Sequence, residues 1–326
     1  MSHLKIYLIS ITVIVLLFSC NLSKNNTQGE GACQTKFVNG STNNKLEILD
    51  FGGTGQPILF LTGLGNSAHV FVDFAPKFTD KFHVYAMSRR GYGASEQTAN
   101  GYHTDTLAND VLAVTKTLEL NKVILIGHSV AGQEISKFAS SYPDRVDKVI
   151  YLDAAFDMIS LTTILSHTPF PAPPIPTAKD SLSFLNYKEY VTRISVSMPD
   201  EELKTITVFS KDGRYQKDAT SGLTDRLVRN GVEHPNYKNM SCPALAIYVT
   251  HNSVKEVFPY YDSLDAENKK GADAFYTSFS DWNTGQIEIF KKEVKNGIVK
   301  EIRGAHHHVF LSNPDETEKA IWEFLK

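Results

Sequence analysis

The chain has 326 residues, 33 Lys and Arg against 36 Asp and Glu, a formal net charge of −3, 42% hydrophobic residues and three cysteines. A nearly balanced charge without long basic runs offers no electrostatic footprint for nucleic acid or another polyanion, so such partners are not expected. The length allows one large domain with an insertion once the N-terminal segment is set aside.

The first residues, Met1-Ser2-His3-Leu4-Lys5, precede an almost wholly apolar run over 6–18. That run is too short for a permanent membrane helix, and a lysine stands before it, as in a secretory signal. It ends Leu17-Phe18-Ser19-Cys20, which resembles the lipobox of bacterial lipoproteins, although Phe18 is bulkier than the usual residue there. The resemblance implies a signal peptide over 1–19, lipidation of Cys20 and export to the cell envelope, periplasmic or surface, with a lipid anchor in the membrane. An ordinary signal peptide and an uncleaved anchor are the competing readings. Residues 20–34 are rich in Asn, Ser, Thr and Gly and read as a flexible tether. Of the remaining cysteines, Cys33 and Cys242 are either paired, as export would permit, or idle thiols.

Strand and helix signals then alternate. Short apolar runs at 45–50, 57–61 and 82–87 read as strands, and Leu107, Val111, Leu112, Val114 and Leu118 give helical spacing over 107–120. A strand at 123–126, a helix ending near Pro143 and a strand at 148–152 follow. Such runs between amphipathic helices predict an α/β domain with a mostly parallel sheet covered on both faces. After Asp153 the rhythm breaks. Residues from about 158 to 240 contain the proline-rich stretch 169–176 and irregular amphipathic segments, which read as a cap inserted into the sheet. The alternation resumes with a strand at 244–249, a helical stretch through 275–294, a strand at 298–302 and a helix over 315–325.

The most informative stretch is Val123-Ile124-Leu125-Ile126-Gly127-His128-Ser129-Val130-Ala131-Gly132. A buried strand turns sharply into a helix, with one serine at the apex and small residues at minus two and plus two, where larger ones would clash. A hydroxyl held there projects above the sheet as a nucleophile elbow. The order of elements resembles the α/β-hydrolase fold from about residue 45 to the C-terminus. Three further stretches carry the resemblance: Leu61-Thr62-Gly63-Leu64-Gly65 at the oxyanion loop, Ser88-Arg89-Arg90-Gly91-Tyr92-Gly93-Ala94-Ser95 at the Arg-Gly-x-Gly-x-Ser turn, and Gly304-Ala305-His306-His307-His308 ahead of Pro314. The resemblance implies one hydrolase domain over 35–326 with a cap at about 158–240.

A serine hydroxyl needs a base to take its proton and a carboxylate to orient that base. The family's spacing from the histidine to the following proline selects His307 as base, with His306 and His308 as alternatives. A metal reading of the triplet is weak, because successive residues of an extended chain face opposite ways. The family's usual acid position, after the strand at 244–249, reads Thr250-His251-Asn252-Ser253, with no carboxylate before Glu256. Asp153, after the preceding strand, stands where the pancreatic lipases carry their acid. It is the expected acid, ahead of Asp157 and Glu256. The oxyanion donors expected are the backbone N–H groups of Val130 and Leu64.

The expected function is a serine hydrolase that cleaves a small to medium carboxylic ester, or a related acyl compound, through an acyl-enzyme on Ser129. No metal or cofactor is expected. The alternative is a non-catalytic ligand-binding or receptor protein on the same scaffold, favoured by the missing acid in the usual place. In the cap, Phe170, Ile175, Phe184, Tyr187 and Tyr190 either line an apolar tunnel above Ser129 or form the cap's own small core.

Overall fold

A computed structural model describes residues 33–326. The expected signal peptide, the lipidation site Cys20 and most of the tether lie outside the described residues. Gln34, expected to close the tether, instead opens strand β1 (Gln34–Asn39), and β2 (Lys45–Gly52), β3 (Gln56–Leu61), β4 (Phe82–Met87), α1 (Thr104–Thr117), β5 (Val123–His128), α2 (Ala131–Ser141) and β6 (Val146–Leu152) follow. Next come α3 (Met158–His167), α4 (Phe184–Ile194), α5 (Asp200–Ile206), β7 (Thr207–Phe209), β8 (Tyr215–Asp218) and α6 (Gly222–Asn230). The chain closes with β9 (Ala244–Thr250), α7 (Val254–Val257), α8 (Ala266–Glu293), β10 (Gly297–Arg303), α9 (Val309–Ser312) and α10 (Pro314–Leu325).

Eight strands form one sheet in the order β1-β2-β4-β3-β5-β6-β9-β10. The first two pairings along that order, β1 with β2 and β2 with β4, are antiparallel, and every later one is parallel. The central strands β5 and β9 are buried almost end to end because helices cover both faces of a parallel sheet. One face packs Val111, Ile135, Phe138 and Phe290 from α1, α2 and α8, and the other packs Phe71, Phe74, Phe78, Phe310 and Ile321. Two sheet faces thus carry two continuous apolar layers, the main source of folding free energy in such a domain.

The segment between β6 and β9 leaves the sheet at Asp157 and returns at His234, whose Nδ1 lies 2.9 Å from Asp157 Oδ2. It carries α3 to α6 and a separate two-stranded sheet of β7 and β8. Its aromatics pack on one another: Tyr187 stacks on Tyr215 with ring centres 4.0 Å apart, and Phe184 meets Phe209 at 5.5 Å. Tyr187 and Tyr190 are buried, whereas Ile175 is 85% exposed and Phe170 packs on Phe258 and Phe275. Of the two readings of these residues, a local core fits Phe184, Tyr187 and Tyr190, and Ile175 lines nothing. Cys33 and Cys242 are both free thiols, and burial pushes the Cys242 thiol up to about 11.

Candidate active site

Ser129 stands between the end of β5 and the first turn of α2, with φ of 55° in the left-handed region. A non-glycine residue held there costs about 1–3 kcal/mol, a strain that the surrounding packing must maintain. The packing is close on both sides. A Cβ on Gly127 would lie 3.0 Å from Ile135 Cδ1, and one on Gly132 would lie 1.8 Å from the carbonyl oxygen of Ala154. The small residues around the serine therefore let the helix that follows it press against the turn after β6.

That turn carries Asp153, also left-handed at φ of 46° and almost wholly buried. Its Oδ1 accepts the N–H of Val249 at 2.9 Å, and its Oδ2 accepts from His307 Nδ1 at 2.6 Å. A carboxylate acceptor fixes the proton on Nδ1, which leaves Nε2 as the basic nitrogen of His307. The imidazole side chain is 42% exposed while the Asp153 side chain is 4% exposed, so the pair runs from the buried end of β6 towards solvent. The other candidate acids are engaged locally. Glu256 accepts from the N–H and side-chain amide of Asn252, and Asp157 caps α3 through Ile159 N–H and meets His234.

The three consecutive histidines have different surroundings. His306 Nε2 lies 3.4 Å from Ser195 Oγ, and His308 Nε2 donates to Asn66 Oδ1 at 3.0 Å. Burial, helped by the neighbouring His307, lowers His306 to about 3, and burial also holds His308 well below its ordinary value. His128, beside the serine, donates from Nε2 to the carbonyl of His307 at 3.1 Å and is likewise kept neutral, first by burial and then by the nearby imidazoles. Its ring occupies the space above Gly63, where a Cβ would approach Nδ1 to 2.6 Å. His128 thus fixes the backbone that presents His307. Sequence reasoning did not assign it that role, although its place next to the serine in the elbow was a usable signal.

The loop after β3 supplies the second wall. Among the described residues neither the N–H of Leu64 nor that of Val130 meets an acceptor. Leu64 packs in the same cluster as Val130, the residue after Ser129, and two free N–H groups that converge on one point can stabilise a carbonyl oxygen as it gains charge. Leu64 and Val130 pack with Tyr92, Tyr102, Leu227, Val228 and Val232, so α6 roofs this side with apolar surface. Tyr92 fastens the roof by donating to Asp225 Oδ1 at 2.7 Å. Arg89, fully buried, donates to the carbonyls of Thr62 and Gly63 and to Glu134 of α2.

A mostly parallel sheet in this order, flanked by helices and carrying a serine elbow at β5, is the α/β-hydrolase fold. Residues 56–193 match the family described as alpha/beta hydrolase fold. The chain is 32% identical over 101 residues to 2-(acetamidomethylene)succinate hydrolase of Mesorhizobium japonicum, and 40% identical over 102 residues to a non-heme chloroperoxidase of Streptomyces lividans. Each match takes in 31% of this chain, and the chain spans only 36% and 37% of the length of those two relatives. The crystal structure of E-2-(acetamidomethylene)succinate hydrolase superposes with a TM-score of 0.65 at 18% identity, over 90% of this chain and 99% of that one. That likeness establishes the fold.

Proposed function

We propose that the protein is a serine hydrolase that cleaves a small to medium carboxylic ester, or a related acyl compound, through an acyl-enzyme on Ser129. The observation that carries this reading is the single hydrogen-bonded line from the N–H of Val249 through Asp153 to His307. It fixes the tautomer a general base needs, and His307 reaches the serine's neighbourhood through His128, whose ring centre lies 4.7 Å from its own and which precedes the serine held on a strained turn. One relative's name, a hydrolase, supports hydrolysis on this scaffold; the other, a chloroperoxidase, names a different reaction.

In the first step Ser129 Oγ attacks the substrate carbonyl and its proton passes to His307 Nε2. Asp153 stabilises the imidazolium, and the oxyanion rests on the N–H groups of Leu64 and Val130. Collapse of the tetrahedral adduct breaks the bond to the alcohol, which leaves with the proton from His307. Water then attacks the acyl-enzyme, gives its proton to His307, and the acid departs as Ser129 regains its hydrogen. The apolar wall of Leu227, Val228 and Val232 suits an ester with an apolar acyl or alcohol part. The lipobox-like sequence ending at Cys20 supports a further proposal, that this activity is tethered to a membrane of the cell envelope.

Labelling of the full chain by a fluorophosphonate probe tests the reading. Labelling that is lost in Ser129→Ala and greatly slowed in Asp153→Asn and His307→Ala supports it. A folded wild type that neither takes the probe nor hydrolyses p-nitrophenyl esters returns the protein to the ligand-binding alternative.

A further inference from the structure

The loop that carries Leu64 is a tight turn. The N–H of Asn66 donates to Gly63 O at 3.4 Å, and Gly65 takes a φ of 79°. This conformation leaves the Leu64 N–H outside the turn's own hydrogen bond. One long hydrogen bond gives little rigidity, so the direction of that N–H depends on what holds the two ends. At the start, Arg89 grips the carbonyls of Thr62 at 2.7 Å and Gly63 at 3.3 Å. At the far end the grip comes from α5, 135 residues further along the chain. Glu202 Oε1 accepts from Asn66 Nδ2 and from Ser67 N–H, both at 3.0 Å, and Oε2 accepts from Ser67 Oγ.

Glu202 is fully buried, and burial pushes its carboxyl up to about 7. No lysine or arginine pairs with it among the described residues. A carboxylate placed this way is costly, and an apolar side chain of similar volume would serve α5 better if packing were its only task. Its partners account for it. The three hydrogen bonds end on Asn66, the last residue of the turn of the proposed oxyanion donor, and on Ser67 just after it, and Asn66 also accepts from His308, the neighbour of the proposed base.

We propose that Glu202 is a positioning residue for the oxyanion turn: by holding Asn66 and Ser67 it keeps the Leu64 N–H aimed at the oxygen that becomes negative, and through Asn66 and His308 it ties that turn to the loop of His307. The inference rests on the acyl-transfer reading of Ser129 and makes the inserted segment a structural part of the catalytic site.

The test uses the full chain as wild type, Glu202→Leu and Glu202→Gln, with p-nitrophenyl acetate as substrate and an aryl trifluoromethyl ketone as transition-state analogue. Glu202→Leu removes every acceptor, and kcat falls about 10- to 100-fold with KM within about twofold, because a misaimed oxyanion donor acts only in the transition state. Ketone affinity falls by the same factor as kcat. Glu202→Gln keeps one oxygen for Asn66 and Ser67 N–H and restores most of both. If folded Glu202→Leu keeps wild-type kcat and ketone affinity, or if Tm alone moves, the inference is overturned. Should Glu202→Leu fail to fold, Asn66→Ala cuts the link from the turn while leaving α5 intact. It must show the same parallel loss, and wild-type values for it overturn the inference equally. A wild type unlabelled at Ser129 sinks the reading of function, whereas a labelled wild type with unaffected variants sinks this inference alone.

Discussion

Asp153 Oδ2 and His307 Nδ1 meet at 2.6 Å across 154 residues of chain, and Asp153 reaches that position from the end of β6 while leaning over the end of β9. β6 and β9 are adjacent and parallel, so their C-terminal ends lie side by side. The left-handed backbone at Asp153 and its bond to the Val249 N–H carry the carboxylate into the neighbouring strand's territory. A carboxylate thus stands over the end of β9 although β9 does not supply it, which under the proposed function lets Asp153 serve as the acid.

Asp153→Asn should lower kcat by about 10⁴ with little change in melting temperature, because an amide nitrogen facing Nδ1 selects the wrong imidazole tautomer. Glu256→Gln and Asp157→Asn should each stay within about threefold of wild type in kcat/KM, since neither carboxylate touches His307. Steady-state kinetics on the three variants decides it, and a Glu256→Gln as inactive as Asp153→Asn would reverse the assignment.

Gly132→Ala should destabilise the protein by about 1–3 kcal/mol, the usual cost of forcing a methyl into close packing. The added Cβ would sit 1.8 Å from Ala154 O, so the helix after Ser129 and the turn of Asp153 must separate. Thermal melting and probe labelling should both fall. A melting temperature equal to that of wild type would show that the contact yields freely.

The neutral histidines predict the acid side of stability. His128, His306 and His308 are held below the ordinary value of 6.5, His306 down to about 3. The unfolded chain then takes up protons that the folded chain refuses, so stability falls as pH drops through about 6.5. Denaturant midpoints at pH 7.5 and 5.5 should show that fall, and His306→Gln should reduce it. Imidazole signals of the three residues should not move in NMR spectra over the same interval.

Glu202 predicts the opposite slope. Its carboxyl is raised from 4.5 to about 7, so between those values the folded chain holds a proton that the unfolded chain has lost. Stability from this group is full below 4.5 and is lost as pH rises through about 7. His69, held protonated to higher pH chiefly by Glu47, lies nearby and moderates the effect. The difference in Tm between Glu202→Gln and wild type should therefore grow in favour of the variant from pH 5 to pH 8. A constant offset would contradict the raised carboxyl.

Much of the core was legible because its signals are local. The strand before Ser129, its flanking small residues and the spacing from His307 to Pro314 are each set by backbone demands within a dozen residues. Strand β1 was missed because it is an edge strand that buries Val38 and little else, so its apolar pattern is faint. The inserted segment was legible only as a break in rhythm. Its helix α3 has no fully buried residue, and its short hairpin is stabilised by aromatic stacking between distant positions. The positioning groups left little local trace, the place of His128 beside Ser129 in the elbow being the one signal. Asn66 with Glu202, Asn66 with His308 and His128 with His307 are separated by 136, 242 and 179 residues.

The meeting of Asp157 with His234 has an evolutionary consequence. A segment that departs from and returns to one spot can be replaced by recombination without pulling on the strands beside it, much as domains with adjacent termini tolerate transplantation. Ser129, Asp153 and His307 all lie outside that segment, so under the proposed function its exchange would alter which molecules are admitted while the proposed reacting groups stay in place. A replacement would have to supply what the segment now gives: acceptors for Asn66 and Ser67 in place of Glu202, a partner for Tyr92 in place of Asp225, and the apolar packing of Leu227 and Val228 with Leu64.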